Sequence, residues 1–271
     1  MTARALHYVF KIGDRQKSYD FFVKTLGMKI LRHEEFQEGC AAECNGPYNG
    51  LWSKTMVGYG AESSHFVLEL TYNYTIGGYK LGNDYESITI SGGNIYDEIT
   101  KKNVDKTVSG NLHLQDPDGH LFIIAPGDGR LDIQKVAVRV KDLENSLDYW
   151  NNHLKMPVVE QTENHATLAY EKDQAAWQLI KTGATIDRGS AYGRIAFAYP
   201  GKELKDLEKR IEGAGFKVLK PFVTLETPGK ADVQVVILAD PVDPGADAAL
   251  QKAMAKDNSN DWFKDGGKKT A

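Results

Sequence analysis

From residue 6 to residue 12 the chain alternates. Leu6, Tyr8, Phe10 and Ile12 point one way, and His7, Val9 and Lys11 the other. A period of two is the signature of a strand with one buried face. Asp14 follows, at the place where a carboxylate accepts from the free N–H groups of a helix start. Tyr19, Phe22, Val23 and Leu26 then recur at helical spacing, so this stripe is expected to be core. Gly27 stands where a helix end favours a left-handed residue. Strands are expected over 28–32, 55–59 and 66–72, which completes a β-α-β-β-β unit.

The same grammar returns 128 residues later. Residues 12–31 and 140–159 align without gaps, with identities at Asp14/Asp142, Ser18/Ser146, Asp20/Asp148, Leu26/Leu154 and Met28/Met156. Phe21/Tyr149 and Phe22/Trp150 keep aromatic character. Such self-similarity marks an internal repeat. Each copy then restarts. Residues 85–90 correspond to 192–197, and helices are expected over 94–103 and 202–212. Asp116-Pro117-Asp118-Gly119 reads as a turn, because Pro presets it and Gly ends it. Its counterpart begins at Asp240-Pro241. The pattern predicts an α+β protein of four β-α-β-β-β units in two tandem domains, 1–127 and 132–245. The closing strand of the second domain reads as truncated. A short helix (246–255) and a polar tail fill 246–271.

Composition narrows the function. The length of 271 residues suits two ordinary domains. With 41% hydrophobic and 26% charged residues the chain reads as globular, and no apolar run approaches the roughly 18 residues of a membrane helix. A net charge of -4 without a basic block gives no case for nucleic acid. The cysteines, Cys40 and Cys44, exclude a disulfide-rich secreted scaffold. They read as reduced bystanders, since His33 is the only nearby candidate for a further zinc ligand. Residues 6–11 are too short and mixed for a secretory signal, and Asp14 and Asp20 spoil a mitochondrial leader. An intracellular home is expected, cytosolic or mitochondrial, without a cleaved signal.

Leu26-Gly27-Met28-Lys29 after the Asp-capped helix, then Phe66-Val67-Leu68-Glu69-Leu70-Thr71-Tyr72-Asn73, then Asp116-Pro117-Asp118-Gly119, resemble glyoxalase I (lactoylglutathione lyase) of the vicinal oxygen chelate superfamily. Residues 33–83 are similar to the glyoxalase domain-containing protein 4 family in more detail, and the resemblance runs to about residue 241. It implies curved mixed sheets forming a cleft. It also implies a small-molecule substrate, a glutathione adduct: isomerisation of the methylglyoxal–glutathione hemithioacetal, which detoxifies methylglyoxal. That proton shift needs a base and, in the family, a divalent cation (nickel, cobalt or zinc) held by four ligands.

Carried over residue by residue, the resemblance keeps half of that set. His7 and Glu69 stand at ligand positions, and Glu69 is also the candidate catalytic group. Ser87 and Ile123 replace a His and a Glu. Lys135, Gln178 and Arg194 occupy the remaining matched places. Two ligands are too few for tight transition-metal binding, and a guanidinium repels a cation. Arg194 is expected to pair with Glu69 where the metal would sit. Lys11, Asn73 and Arg194 are the candidate substrate contacts. The cofactor is open between a divalent metal and none. Two functions follow: a glyoxalase-type isomerase with a partial metal site, or a metal-free, catalytically inactive module that binds a small molecule or a protein partner.

Overall fold

The computed structural model describes residues 3–101, 107, 109–127, 130–225 and 232–240. The chain opens with β1 (Arg4–Lys11), α1 (Arg15–Tyr19), a π-helical stretch (Asp20–Thr25), β2 (Lys29–Phe36), β3 (Trp52–Gly58) and β4 (Val67–Asn73). Next come β5 (Tyr85–Ser91), α2 (Gly93–Thr100), β6 (Leu112–Gln115) and β7 (Leu121–Ala125). The second half starts with β8 (Asp132–Val140), α3 (Leu143–Leu147), another π-helical stretch (Asp148–His153), β9 (Val158–Gln161), β10 (His165–Leu168) and β11 (Ala176–Lys181). It continues through β12 (Arg194–Ala198), a short 3₁₀ turn, α4 (Leu204–Gly213), β13 (Val218–Leu225) and β14 (Val233–Leu238).

Local chemistry explains the matching helices. Asp14 accepts from the Lys17 N–H, and Asp142 from that of Asn145, each satisfying an orphan donor of the first turn. Both helices then widen. Leu26 N–H donates to Phe21 O and Leu154 N–H to Tyr149 O, each 2.9 Å and five residues back. Gly27 closes the first with φ 68°, and Lys155 takes the matching place with φ 60°.

The widening changes the buried stripe. Ser18, Phe22 and Leu26, spaced by four, are buried, whereas Tyr19 is 43% exposed. The expectation that Tyr19 belongs to the core is corrected, because the π turn carries it to the solvent side.

The halves are joined by exchanged pairing. β1 pairs antiparallel with β12 and parallel with β4, giving a five-stranded sheet β12-β1-β4-β3-β2. β5 pairs with β8 in the same way, within a seven-stranded sheet β6-β7-β5-β8-β11-β10-β9. One sheet face packs on the helices. Phe10, Phe22 and Phe122 meet there, with ring centroids 5.5–5.8 Å apart for the two pairs involving Phe122.

The fourth unit departs from the second. β5 has two sheet neighbours, whereas β12 has one among the described residues, and β13 and β14 form their own hairpin. That hairpin precedes Asp240, whose carboxylate accepts from Trp150 Nε1 at 2.6 Å. The truncation expected after Asp240 and the tail helix expected at 246–255 fall outside the described residues. No helix among the described residues is long and apolar enough to cross a membrane.

Candidate functional site

Strand alternation builds the site. Tyr8, Phe10, Leu68 and Leu70 enter the core. His7, Val9 and Lys11 of β1 and Glu69, Thr71 and Asn73 of β4 therefore share the opposite face. The register adds Lys54 and Met56 of β3, Arg32 and Glu34 of β2, and Arg194 of β12.

His7 is the hub. Its Nδ1 lies 2.7 Å from Glu62 Oε1 and its Nε2 3.4 Å from Glu69 Oε2. Glu69 is 4% exposed and also accepts from Thr71 Oγ1. Glu62 comes from the β3–β4 connection. The His7 hydrogen bond holds its carboxyl below the usual range, against a desolvation penalty that pushes the other way. Arg32 lies 3.6 Å from Glu62 and 3.7 Å from Glu34, and Lys54 lies 3.3 Å from Glu34. The result is a continuous charge network across four strands and a loop.

Two of the family's four ligand positions meet here. A ligating imidazole offers the metal one ring nitrogen and donates its other N–H to a partner such as a carboxylate. His7 has that partner in Glu62, and its Nε2 faces Glu69. Among the described residues no group of three or more His, Cys, Asp or Glu is placed to hold an ion. The second set of matched positions fares no better. Thr89 pairs with both Ile123 and Lys135, Ser87 is opposite Ala137, and Gln178 Nε2 donates to Thr167 Oγ1 at 3.1 Å. Burial pushes the Lys135 amine below its ordinary range.

The expected Arg194–Glu69 pair is corrected. Val9 is the register partner of both residues, on opposite sides of β1. That puts two strand spacings, roughly 9.6 Å, between their backbones. Arg194 turns instead to the β2–β3 connection, donating to Ala42 O at 2.8 Å, with Glu43 at 3.6 Å.

The same connection covers the other expected substrate contacts. Asn73 is buried. Its amide donates to Asn45 O at 3.0 Å and Tyr79 Oη at 2.9 Å, and its oxygen accepts from Asn45 Nδ2 at 2.9 Å. Lys11 is 2% exposed, with its Nζ donating to Tyr192 O at 2.6 Å and standing 3.5 Å from the Tyr192 ring centre. Burial lowers the Lys11 amine well below its ordinary range, helped by Arg194 and Arg188. Cys40 and Cys44 are joined in a disulfide in this loop, which corrects the expected reduced thiols. His33 is engaged elsewhere, with Thr55 and Glu35.

Sequence reasoning missed Glu62 and Asn45. Neither sits in a periodic segment, and each reaches the site only through tertiary folding.

Residues 142–244 match the family described as glyoxalase domain-containing protein 4-like, C-terminal domain. A glyoxalase 1 of Caenorhabditis elegans is 47% identical, covering 97% of this chain and 100% of its own. Glyoxalase domain-containing protein 4 of Rattus norvegicus is 44% identical, covering 97% and 96%. The crystal structure of glyoxalase I from Zea mays superimposes with a TM-score of 0.66 at 21% identity, covering 95% and 97%. At that identity the likeness concerns the fold.

Proposed function

Because this chain belongs to the glyoxalase domain-containing protein 4 family, we propose that it binds a small organic molecule of the glutathione-adduct class at the His7–Glu69 face, without a resident transition metal. The observation that carries this reading is that His7 and Glu69 meet without a third ligand among the described residues. The third matched position holds a guanidinium that donates to Ala42 O instead. What remains is a charged face with both signs on it. Arg32 and Lys54 supply donors for a carboxylate, and Glu69 with His7 supplies a proton-transfer pair. The recurrence of capped, widened helices 128 residues apart supports two tandem domains, 1–127 and 132–245. With a glutathione adduct as the ligand class, we infer an intracellular home, in cytosol or mitochondrion.

A second reading is isomerisation of the methylglyoxal–glutathione hemithioacetal, that is, methylglyoxal detoxification. The relative named glyoxalase 1, at 47% identity, favours it.

One experiment separates the two. The full chain is produced with nickel, cobalt, zinc or iron offered, and its metal content and S-lactoylglutathione formation are measured beside calorimetric titration with an S-alkyl glutathione. The proposal expects far less than one metal per chain, no metal-dependent turnover, and saturable binding. About one bound metal per chain, lost together with turnover on changing His7 or Glu69, would establish the isomerase instead.

A further inference from the structure

A second polar site lies on the other face of β1. Tyr8 and Phe10 point away from His7 and border a cavity of about 170 Å³ between the two halves of the chain. Tyr85, His120 and Arg139 share its wall. The volume is close to that of an engineered cavity of about 150 Å³ that takes up benzene, so one six-membered ring fits.

The wall is not apolar throughout. His120 is buried, and its Nδ1 lies 2.9 Å from the Asp116 carboxylate. That bond fixes the ring, because a neutral imidazole donating from Nδ1 presents Nε2 as an acceptor. Among the described residues Nε2 has no hydrogen-bond partner. Tyr8 is equally buried, and its hydroxyl also has no partner among the described residues. Burial pushes the Tyr8 phenol up, with Asp84 adding and Arg188 opposing, so the hydroxyl keeps its proton and can donate. Gly193 leaves room beside it, since a Cβ there would collide with the Tyr8 ring and hydroxyl. The Tyr85 hydroxyl is already spent on Leu121 O at 2.7 Å.

His120 Nε2 and the Tyr8 hydroxyl each keep an unused hydrogen-bonding capacity beside the cavity. The charges at the rim cancel in pairs. Asp84 meets Arg188 at 3.3 Å, and Glu86 meets Arg139. A charged guest would therefore find no free counter-ion. Phe10, Tyr85 and His120 pack on one another, with Phe10 and His120 centroids 4.6 Å apart and Tyr85 and His120 5.4 Å apart, so together they form one aromatic wall.

We propose that this cavity is a binding site for a neutral, single-ring molecule bearing a hydroxyl group, of the phenol class. The hydroxyl donates to His120 Nε2 and accepts from the Tyr8 hydroxyl, and the ring lies against the wall formed by Phe10, Tyr85 and His120. This site is independent of the His7–Glu69 face.

Phenol, benzene and benzoate are titrated separately into the full chain and followed by amide shifts and by the His120 imidazole ¹⁵N shift. Phenol is expected to give saturable shifts around Tyr8, Tyr85 and His120 and to move the Nε2 resonance. Benzene is expected to bind about tenfold more weakly, and benzoate more weakly still, while Tyr8→Phe lowers phenol affinity about fivefold. The proposal is overturned if phenol gives no saturable shift at the cavity, if benzene or benzoate binds as well as phenol, or if the shifts gather at His7 and Glu69. Should Tyr8→Phe fail to fold, the three-ligand comparison and the Nε2 shift on the unaltered chain still decide. A cavity holding only water gives the first of the overturning results.

Discussion

Arg194 and Glu69 flank the same residue, Val9, from opposite sides of β1. The close partners of Arg194 are nonetheless Ala42 O and Glu43, in the disulfide loop. Arg194→Met keeps the aliphatic stem and removes the fork. Ala42 O then loses its donor and Glu43 its cation. A cost of about 2 kcal/mol is expected, since hydrogen bonds involving charged groups run to roughly 1.5–3 kcal/mol. Urea unfolding measures it. Amide exchange of residues 40–46 should quicken locally, and unchanged protection there would show that the guanidinium does not hold the loop.

Much of the frame around this contact was legible from local signals. Asp14 and Asp142 announce their helices because a cap acts within three residues. The Asp116–Gly119 turn is written in its own residues, and Gly119 does take φ 95°. The π widening is invisible, since no residue type demands it, and with it the exposure of Tyr19. Arg194 and Glu69 are on the same face as expected, yet their separation depends on which strands lie between them. Glu62 is a loop residue whose role exists only once β1 and the β3–β4 connection meet. Cys40 and Cys44 read identically whether bonded or not.

Asn45 and Asn73 share a closed set of bonds beneath that loop. Each alanine substitution leaves buried polar groups unpaired, which costs about 2 kcal/mol or more per site. The double variant should cost clearly less than the sum, because the second change removes partners already stranded by the first. A double-mutant cycle by denaturant titration reads the coupling. Additive losses would mean that the two side chains act separately.

Glu62 makes stability depend on acid. Its folded carboxyl titrates below the ordinary 4.5, chiefly through the His7 hydrogen bond. A depressed carboxylate contributes stability that is fully present above its unfolded value and lost as pH falls through the lower folded value. Glu62→Gln removes this contribution. The stability gap between wild type and variant should therefore shrink steadily as pH falls below about 4.5. Chemical unfolding at several pH values tests it. A gap that stays constant through the acid range would show that Glu62 has no depressed carboxyl.

At Gly82 the two halves meet outside the sheets. Asn83 N–H donates to Asp187 O at 2.6 Å, and Asp187 N–H returns a bond to Asn83 Oδ1 at 2.7 Å. Arg188 then pairs with Asp84. A Cβ on Gly82 would land on the backbone of Asp187 and Arg188, which are main-chain atoms and cannot swing aside as a side chain tip does. Gly82→Ala must therefore push the 187–189 segment outward and stretch these bonds. Overpacking of this kind costs about 1–3 kcal/mol. The damage should spread beyond the turn, because the same segment leads into β12, which pairs with β1. Amide exchange should speed up at Asn83 and Asp187 first and along β12 next, while β9 and β10 on the far edge keep their protection. Loss confined to residue 82, with β12 unaffected, would show that this strap does not help to hold the halves together.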